Sequence, residues 1–218
     1  MGVTSSVTLE KIAEIAQSHG LLVMGALNNA QNAPAGTTVL LGTGPAFWPA
    51  FTRAPEYSDD LRDPIDRWSK RVLKTIADPL GATASFPSDG PPYPPFISWA
   101  LATGRFFQSP VGMMVHDTVG LMISLRGALH LPFEISLTAP SSNSPCEACP
   151  APCTTGCPVS ALNASKAYDL KACHTFLDSP DGTDCMSRGC IARRACPLSA
   201  GAHRPDAQSA LHMKAFHP

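Results

Sequence analysis

The sequence predicts an α+β protein with two parts, a larger N-terminal domain and a small cysteine-rich module. Helical spacing of apolar residues near the N-terminus is followed by two short apolar runs with a polar loop between them. All eight cysteines lie at or after position 146 of the 218 residues. We therefore expect a domain boundary between residues 140 and 141, so that residues 1–140 build a core without cysteine and residues 141–218 form the module.

The first elements follow from local patterns. Residues 7–18 place apolar side chains at helical spacing, and Gly20 is suited to the end of that helix. The runs 21–27 and 37–42 are typical of short strands that are buried on both faces. The connecting segment 28–36 is rich in Asn, Ala, Pro and Gly, which predicts a loop.

A second helix is predicted over residues 63–76. Asp63 is expected at its N-cap and Pro64 at its first position, where a missing N–H costs nothing. Residues 81–86 then indicate a third strand, and the proline-rich segment 86–96 indicates a rigid loop.

The rest of the N-terminal part predicts one more helix and a strand pair. The helix starts at Phe96 and runs to about residue 103. Residues 111–116 and 119–129 are apolar runs, and a turn at 116–118 is expected to join them as neighbouring strands.

Composition excludes some classes of function. The formal net charge is −1 and charged residues make up 15% of the chain, which argues against a broad nucleic-acid-binding surface. No run of 18 apolar residues is present, so we expect no membrane span. The N-terminus lacks the basic and apolar regions of a signal peptide, and a cytoplasmic location is expected.

The cysteines carry the strongest functional signal. The first four read C-x2-C-x3-C-x3-C-P, one residue longer than the run of bacterial ferredoxins. Close spacing allows three thiolates to meet one cluster, while the cysteine before the proline points elsewhere. Eight thiolates match two [4Fe–4S] clusters. The candidate ligands are Cys146, Cys149, Cys153, Cys157, Cys173, Cys185, Cys190 and Cys196.

Two other interpretations of the cysteines stay open. A disulfide framework requires an oxidising compartment and is typical of small secreted domains. Structural zinc sites favour paired C-x2-C knuckles, and only Cys146 and Cys149 have that spacing. The two Cys-Pro endings, at Cys157 and Cys196, favour iron–sulfur clusters over both alternatives.

The cysteine pattern resembles that of epoxyqueuosine reductase. A four-cysteine run ending in Cys157-Pro, a lone Cys173, and three cysteines ending in Cys196-Pro are shared features. The order of parts is also similar to that of cobalamin-dependent reductive dehalogenases, in which a nitroreductase-like cobalamin domain precedes a two-cluster ferredoxin module. The resemblance implies an α/β/α sandwich followed by a small ferredoxin-like module with two [4Fe–4S] clusters.

The resemblance also implies a crossed pairing of the ligands. One cluster would be held by Cys146, Cys149, Cys153 and Cys196, and the other by Cys157, Cys173, Cys185 and Cys190. The spacing of the last three cysteines is wider than the family's usual spacing, which loosens the assignment of individual ligands more than the number of clusters.

Upstream, two stretches resemble the corrinoid-binding part of the same family. Residues 86–91 are similar to its acid-proline loop, and residues 112–129 are similar to a strand pair at the corrinoid site that is also found in cobalamin-processing proteins. The resemblance spans residues 80–200 and extends to the first 80 by architecture alone. The corrinoid contacts that we expect are Asp89, Tyr93, Phe96, Met113, His116 and Arg126.

These six residues have different roles in the hypothesis. Asp89 and Arg126 are the polar candidates, and Asp89 is also the candidate catalytic residue. A lone histidine such as His116 is more often structural than a ligand. The glutamate that follows the acid-proline loop in epoxyqueuosine reductases is absent here, and Tyr93 and Phe96 lie in its place.

The resemblance implies a redox protein rather than a tRNA-modifying enzyme. We expect neither the helical-repeat extension used with tRNA nor the twin-arginine leader of respiratory dehalogenases, and the charge is near neutral. We expect an external low-potential donor to pass electrons through two clusters to a cobalamin, which is either reduced, stripped of its upper ligand, or used to reduce a small molecule. Two alternatives remain open: a ferredoxin-type electron carrier without cobalamin, and an FMN-dependent reductase.

Overall fold

The computed structural model describes residues 7–139 and 143–218, and it is a mixed α/β protein, as the sequence predicts. In these ranges the α-helices are α1 Leu9–Ser18, α2 Phe47–Phe51, α3 Pro64–Ala77, α4 Phe96–Ala102, α5 Leu170–Leu177, α6 Thr183–Arg188, α7 Ile191–Ala195 and α8 Asp206–Phe216. The strands are β1 Leu21–Asn28, β2 Thr37–Thr43, β3 Thr83–Ser85, β4 Phe106–Gln108, β5 Met114–His116 and β6 Leu125–Leu131. Short 3-10 helices occupy Pro55–Tyr57, Asp78–Leu80, Pro152–Thr154, Pro180–Gly182 and Pro197–Ala202.

The chain forms two compact units. Unit 1 comprises Met1–Arg105 and Ser124–Ser141, and unit 2 comprises Phe106–Ile123 and Ser142–Pro218. The cysteine-rich segment therefore shares its unit with residues that precede it in the chain. The domain boundary at residues 140 and 141 stays a prediction. Among the described residues, no helix combines the length and apolar character that crossing a membrane requires.

Unit 1 is built on a four-stranded antiparallel sheet with the strand order β1-β2-β6-β3. Every residue of β2 is buried, which explains why its sequence does not alternate between apolar and polar side chains. The strands predicted at 21–27 and 37–42 are confirmed as β1 and β2, and β3 lies inside the predicted range 81–86.

The helices of unit 1 begin close to their predicted positions. Thr8 caps α1 by accepting a hydrogen bond from the backbone N–H of Lys11 at 3.3 Å, and Gly20 follows the helix with φ +82°. Pro64 is the first residue of α3, as predicted. Asp63 occupies the N-cap position with φ 53°, but its side chain makes no capping hydrogen bond, so the expected capping interaction is wrong.

The core of unit 1 contains an aromatic cluster. Phe47 and Phe51 of α2 stack with ring centroids 5.4 Å apart, and Trp68 of α3 meets both rings edge-on at 5.0 and 6.2 Å. All three side chains are buried. α3 also packs on β6, so this cluster connects the helices to the sheet.

The strand pair predicted at 111–116 and 119–129 forms only at its turn, where His116 and Gly120 make a single antiparallel bridge; beyond that bridge the predicted pairing is wrong. β5 pairs with β4 in a two-stranded antiparallel sheet of unit 2, whereas β6 lies in the sheet of unit 1. A tight turn explains the difference, because the backbone N–H of Ser109 donates to the carbonyl of Met113 at 2.9 Å and Gly112 has φ +78°. This turn reverses the chain before β5, which therefore pairs with the strand that precedes it.

Candidate metal centre

The first cysteines lie on consecutive turns. The backbone N–H of Cys149 donates to the carbonyl of Cys146 at 3.2 Å and closes the first turn. Ala151 follows with φ 52°, in the left-handed region, and Cys153 lies in the 3-10 turn Pro152–Thr154. Successive turns of this kind bring side chains that are close in sequence to the same side of the chain.

Short helices position the later cysteines. Cys173 lies on α5, whose N-cap Asp169 accepts a hydrogen bond from a first-turn N–H at 2.9 Å. Cys185 lies on α6, while Cys190 and Cys196 flank α7 as its N-cap and C-cap residues. The positions of these four thiols relative to one another thus depend on how the helices pack in unit 2.

Electrostatic interactions between thiols define a first set of four cysteines. Burial raises the pKa of Cys146, and so do the neighbouring Cys149 and Cys196. Burial also raises the pKa of Cys153, with further contributions from Cys196, Cys146 and Cys149. We call Cys146, Cys149, Cys153 and Cys196 the first set.

The other four cysteines form a second set by the same criterion. Burial raises the pKa of Cys173, and Cys190 and Cys157 add to the shift. Cys185 has its pKa raised by burial and by Cys190. These four, the second set, line a common cavity with about 360 Å³ of space free of protein atoms, part of it open to solvent.

Apolar side chains surround the first set. Cys153 and Cys196 belong to a buried cluster that includes Val111, Val115 and Leu121, from the segment 106–123. From the sequence, this segment is expected in the N-terminal domain, so its contact with the cysteines was not predicted. The hairpin β4–β5 and the residues after it thus exclude water from one side of the first set.

Polar groups also lie near the cysteines. The backbone N–H of Ala151 points at the Sγ of Cys149 at 3.4 Å. The hydroxyl of Ser144 accepts a hydrogen bond from the backbone N–H of Cys146 at 3.3 Å, and Tyr168 lines the same cavity as Cys173. Sequence reasoning missed both hydroxyl residues, although each lies within five positions of a cysteine.

Arg193 is a second residue that sequence reasoning missed. Its guanidinium donates to the backbone carbonyls of Leu121 at 2.6 Å and Ile123 at 3.1 Å. Burial lowers the pKa of Arg193, and the nearby Cys190 and Tyr168 partly offset this effect. A positive charge therefore lies beside the second set. No spacing pattern in the sequence marks this arginine.

All eight cysteines are free thiols in the structure. Within residues 7–139 and 143–218, no group of three or more His, Cys, Asp or Glu side chains is arranged to hold a metal ion. A [4Fe–4S] cubane differs from an ion in its demands, since each thiolate binds a separate iron and the four ligands surround the whole cluster.

Four of the six predicted corrinoid contacts lie in unit 1. Asp89 accepts a hydrogen bond from the backbone N–H of Phe86 and pairs with Lys70 at 2.9 Å. Tyr93 is 66% exposed, whereas Phe96 is buried and packs against Trp99. The structure therefore presents Asp89 and Tyr93 to solvent and retains Phe96 in the core.

Arg126, the fourth, is buried on β6. Its Nη1 lies 3.3 Å from the carboxylate of Asp66. Burial lowers the pKa of Arg126, and Asp66 partly offsets the effect. Its Nε is buried and has no hydrogen-bond partner among the described residues. Arg126 thus has a donor that an added acceptor could satisfy.

The remaining two, Met113 and His116, lie in unit 2. Met113 packs against the apolar cluster around the first set. His116 is fully buried, and its Nδ1 accepts hydrogen bonds from the backbone N–H groups of Thr118 at 3.1 Å and Val119 at 3.4 Å. These contacts give His116 a structural role in the turn after β5. The assignment of all six residues to a corrinoid site stays a prediction.

Among solved structures, the chain is similar to the B12-trafficking protein CblC of C. elegans, described as a homologue of human MMACHC. The TM-score is 0.49 at 11% sequence identity, over 95% of this chain and 96% of that one. No family model and no curated protein matches the sequence.

Proposed function

We propose that this chain is an iron–sulfur redox protein that holds two [4Fe–4S] clusters and passes electrons to a corrinoid. One observation carries the first half of the proposal. The eight thiols interact as two sets of four, and these sets have the same members as the crossed pairing that the family resemblance implies.

The second set suits a cluster in the number of its ligands. Four thiolates are the usual complement of a [4Fe–4S] cluster. The four cysteines of this set line one cavity, together with apolar side chains such as Leu162 and Leu177.

The chain's own residues have separate tasks in this proposal. The clusters supply one-electron transfer when bound. The eight cysteines hold them, and Val111, Val115 and Leu121 exclude water from the first set. The N–H of Ala151 donates to the sulfur of Cys149, a contact that stabilises negative charge on the ligand.

The corrinoid half of the proposal rests on the sequence stretches 86–91 and 112–129 and on two features of unit 1. Tyr93, four residues after Asp89 in the chain, offers an exposed aromatic side chain suited to a large planar ligand. Within the described part of the chain, the buried Nε of Arg126 has no hydrogen-bond partner, and the amide arms of a corrinoid carry carbonyl acceptors. In this proposal the corrinoid is the electron acceptor, and an external low-potential donor supplies the electrons.

Paired cysteine substitutions test the clusters. After anaerobic reconstitution we expect about eight irons per chain, and about four in either Cys153→Ser or Cys185→Ser. A double variant within one set, Cys153→Ser with Cys196→Ser, should keep about four irons. A double variant across the sets, Cys153→Ser with Cys157→Ser, should lose nearly all. Thr155→Ala, at an exposed neighbouring position, is the control.

The outcomes separate the possible pairings. If the first four cysteines held one cluster together, the variant of Cys153 and Cys157 would keep about four irons and the crossed pairing would be wrong. Stoichiometric zinc without sulfide, or disulfides in the purified protein, would refute the cluster proposal.

A titration with hydroxocobalamin tests the corrinoid half. We expect a stoichiometric shift to a base-off spectrum, followed by Co(II) or Co(I) bands when a low-potential reductant is added. Arg126→Met should weaken binding about tenfold if an acceptor on the ligand pairs with its Nε, a loss of about 1.4 kcal/mol. Arg62→Met, at an exposed position, is the matched control.

A protein with two intact clusters and no response to hydroxocobalamin would exclude the corrinoid half alone. A yellow protein with bound FMN would instead favour the flavin alternative. Electron transfer to a partner protein without either cofactor would favour the ferredoxin-type carrier.

A further inference from the structure

An open, charged cleft borders the first set of cysteines in unit 2, and we call it the arginine cleft. Cys196 lines it together with Met122 and Ser199, and its volume is about 340 Å³. The charged side chains that line it in the described part of the chain are Arg188, Arg194, Arg204 and Asp206. One ligand of the proposed first cluster therefore lies at a surface that is rich in guanidinium groups.

Backbone carbonyls hold two of the arginines at the arginine cleft. The Nη2 of Arg204 donates to the carbonyl of Met122 at 2.7 Å, and the Nε of Arg194 donates to the carbonyl of Gly189 at 3.1 Å. Because a carbonyl has no net charge, these contacts fix the positions of both cations without neutralising them.

Two carboxylates partly neutralise the cleft. Asp184 forms ion pairs with Arg188, at 3.4 Å, and with Arg194. Asp206 pairs with Arg188 at 3.2 Å. Among the described residues, three guanidinium groups thus meet two carboxylates at this cleft. The balance of charge is positive.

The cavity lined by the second set differs from the arginine cleft in its charge. Apart from the four cysteines, apolar side chains and Tyr168 line it, and no charged side chain of the described residues does so. Arg193, beside this set, directs its guanidinium to the carbonyls of Leu121 and Ile123. The exposed Lys171 of α5 lines a neighbouring groove. An acidic partner is therefore expected at the first set rather than at the second.

We propose that the arginine cleft docks an acidic electron-transfer protein and that electrons enter the chain there, at the first set. This inference rests on the proposed function, because it requires a cluster on the first set. In each transfer the partner is oxidised by one electron and the first-set cluster is reduced by that electron, and no bond forms or breaks. Cys196 belongs to both the cleft and the first set, so the electron has a short path between them.

The exposure of the arginines favours a protein partner over a small anion. The side chains of Arg188 and Arg194 are 53% and 25% exposed, so water and salt weaken their attraction for a single small anion. A docked protein covers the cleft and presents several carboxylates to it at once. Complementary charge on the two surfaces raises the rate of encounter and orients the partner.

The test measures how fast an acidic donor reduces the reconstituted full chain. The probe is reduced plant-type [2Fe–2S] ferredoxin, which carries an excess of carboxylates. It is mixed anaerobically with the chain, and freeze-quench electron paramagnetic resonance follows the reaction. The second-order rate constant is measured at ionic strengths of about 0.01 M and about 0.5 M. Salt should lower the rate about tenfold or more, because it screens the attraction between the two surfaces.

A charge series at Arg188 tests the cleft itself. Its side chain is exposed, so the variants should fold, and iron and sulfide analysis checks that each keeps both clusters. At low ionic strength Arg188→Gln should reduce the rate about threefold and Arg188→Glu about tenfold, whereas Arg188→Lys, which retains the charge, should recover most of the rate. These differences should disappear at high ionic strength. Lys171→Gln is the matched control beside the second set and should leave the rate unchanged.

Asp206→Asn should act in the opposite direction. It removes the carboxylate that pairs with Arg188 and makes the cleft more positive, so the rate with ferredoxin should rise about threefold at low ionic strength. Reduced methyl viologen, a small cation, is a donor that does not need the cleft. Its rate should not fall in Arg188→Gln or in Arg188→Glu.

Three results would overturn the inference. They are an unchanged ferredoxin rate in Arg188→Glu at low ionic strength, a slower rate in Lys171→Gln than in Arg188→Gln, and equal slowing of both donors, which would assign Arg188 to the support of the cluster. Stoichiometric binding of inorganic phosphate that is lost in Arg188→Gln, with unchanged ferredoxin rates, would also overturn it and make the cleft a small-anion site. If the wild-type chain holds no clusters, the proposed function fails instead, and iron and sulfide analysis shows this before any mixing.

Discussion

His130 connects three strands of unit 1, and its replacement should reduce the stability of that unit. From β6, its Nδ1 lies 3.0 Å from the hydroxyl of Thr38 on β2, and its Nε2 lies 2.8 Å from the hydroxyl of Ser85 on β3. The residue is buried, and burial lowers the pKa of its imidazole. The ring is therefore neutral at pH 7, with one nitrogen donating and the other accepting.

The size of the effect follows from these contacts. His130→Phe keeps an aromatic ring against Trp99, whose centroid is 5.4 Å away, but it leaves the buried hydroxyl of Thr38 without a partner. An unpaired buried hydroxyl costs about 1–3 kcal/mol, and the lost bond to the half-buried Ser85 adds about 0.5–1 kcal/mol. We expect a loss of about 1.5–4 kcal/mol in total. Adding Thr38→Val should restore about 1–2 kcal/mol, because it removes the unpaired hydroxyl.

The pH dependence has a definite sign. A lowered pKa means that, below about pH 6.5, the unfolded state binds a proton that the folded state does not. The contribution of neutral His130 is fully present above the unfolded pKa and is lost as the pH falls from there through the folded pKa. The slope reaches about 1.4 kcal/mol per pH unit for one proton. His130→Phe should lack this component.

The assay is urea unfolding at pH 7.5 and pH 5.5, followed by tryptophan fluorescence. The three tryptophans, Trp48, Trp68 and Trp99, all lie in unit 1, so the signal reports that unit. His203→Asn is the control, since His203 is exposed with φ 44°, a conformation that asparagine tolerates. Equal stability of His130→Phe and the wild type at pH 7.5, or the same pH slope in both, would refute the reasoning.

Three further predictions concern other contacts. Arg71 holds the pKa of Glu56 below its usual value through hydrogen bonds of 2.6 and 2.8 Å. Glu56→Gln should therefore lower the stability of the protein by about 1 kcal/mol at pH 7. Calorimetry should show that this difference vanishes as the pH falls through the folded pKa of Glu56. Gly120→Ala places a Cβ 2.5 Å from the backbone nitrogen of Ser199 at φ +57°, and unit 2 should lose about 2–4 kcal/mol, measured by hydrogen exchange. Arg193→Met leaves two backbone carbonyls without their donor, and limited proteolysis should cut the segment 117–123 several times faster.

Each of these has a matched control. Asp59→Asn should cost less than Glu56→Gln, because both Asp59 and its partner Arg67 are about one-third exposed. Gly112→Ala has a similar positive φ, but nothing lies within 4 Å of its added Cβ, so it should cost only about 1 kcal/mol. Arg188→Met lies at an exposed position and should leave the cleavage rate unchanged. Equal losses for Gly112→Ala and Gly120→Ala would contradict the close contact with Ser199.

Local patterns were sufficient to predict much of unit 1. The apolar run at 37–42 became a strand that is buried on both faces, as predicted. The run at 21–27 became an edge strand, in which Leu22, Ala26 and Leu27 are only partly buried. Pro64 marked the start of α3 through its fixed φ and its missing N–H. Asp63 did not cap that helix with its side chain, since its left-handed backbone directs the residue away from the usual cap geometry.

Contacts between distant residues could not be predicted in this way. β5 pairs with β4 because a turn at Gly112 reverses the chain, and the run of apolar residues gives no sign of which neighbour a strand will choose. The eight cysteines were found by their spacing, whereas Tyr168 and Arg193 were missed. Single aromatic or basic residues have no spacing pattern, and their importance follows only from what they touch.

The placement of residues 106–123 in unit 2 has a consequence for biosynthesis. Val111, Val115 and Leu121 are made before β6 is complete, yet they share a cluster with Cys153 and Cys196. About 70 residues separate the end of this segment from Cys196, and a ribosome adds about 5–20 residues per second. For about 4–15 s the hairpin therefore waits with an apolar face uncovered, which makes nascent chains of intermediate length the natural clients of a chaperone. A fragment that begins at residue 143 would lack this face and would be a poor choice for producing the module alone.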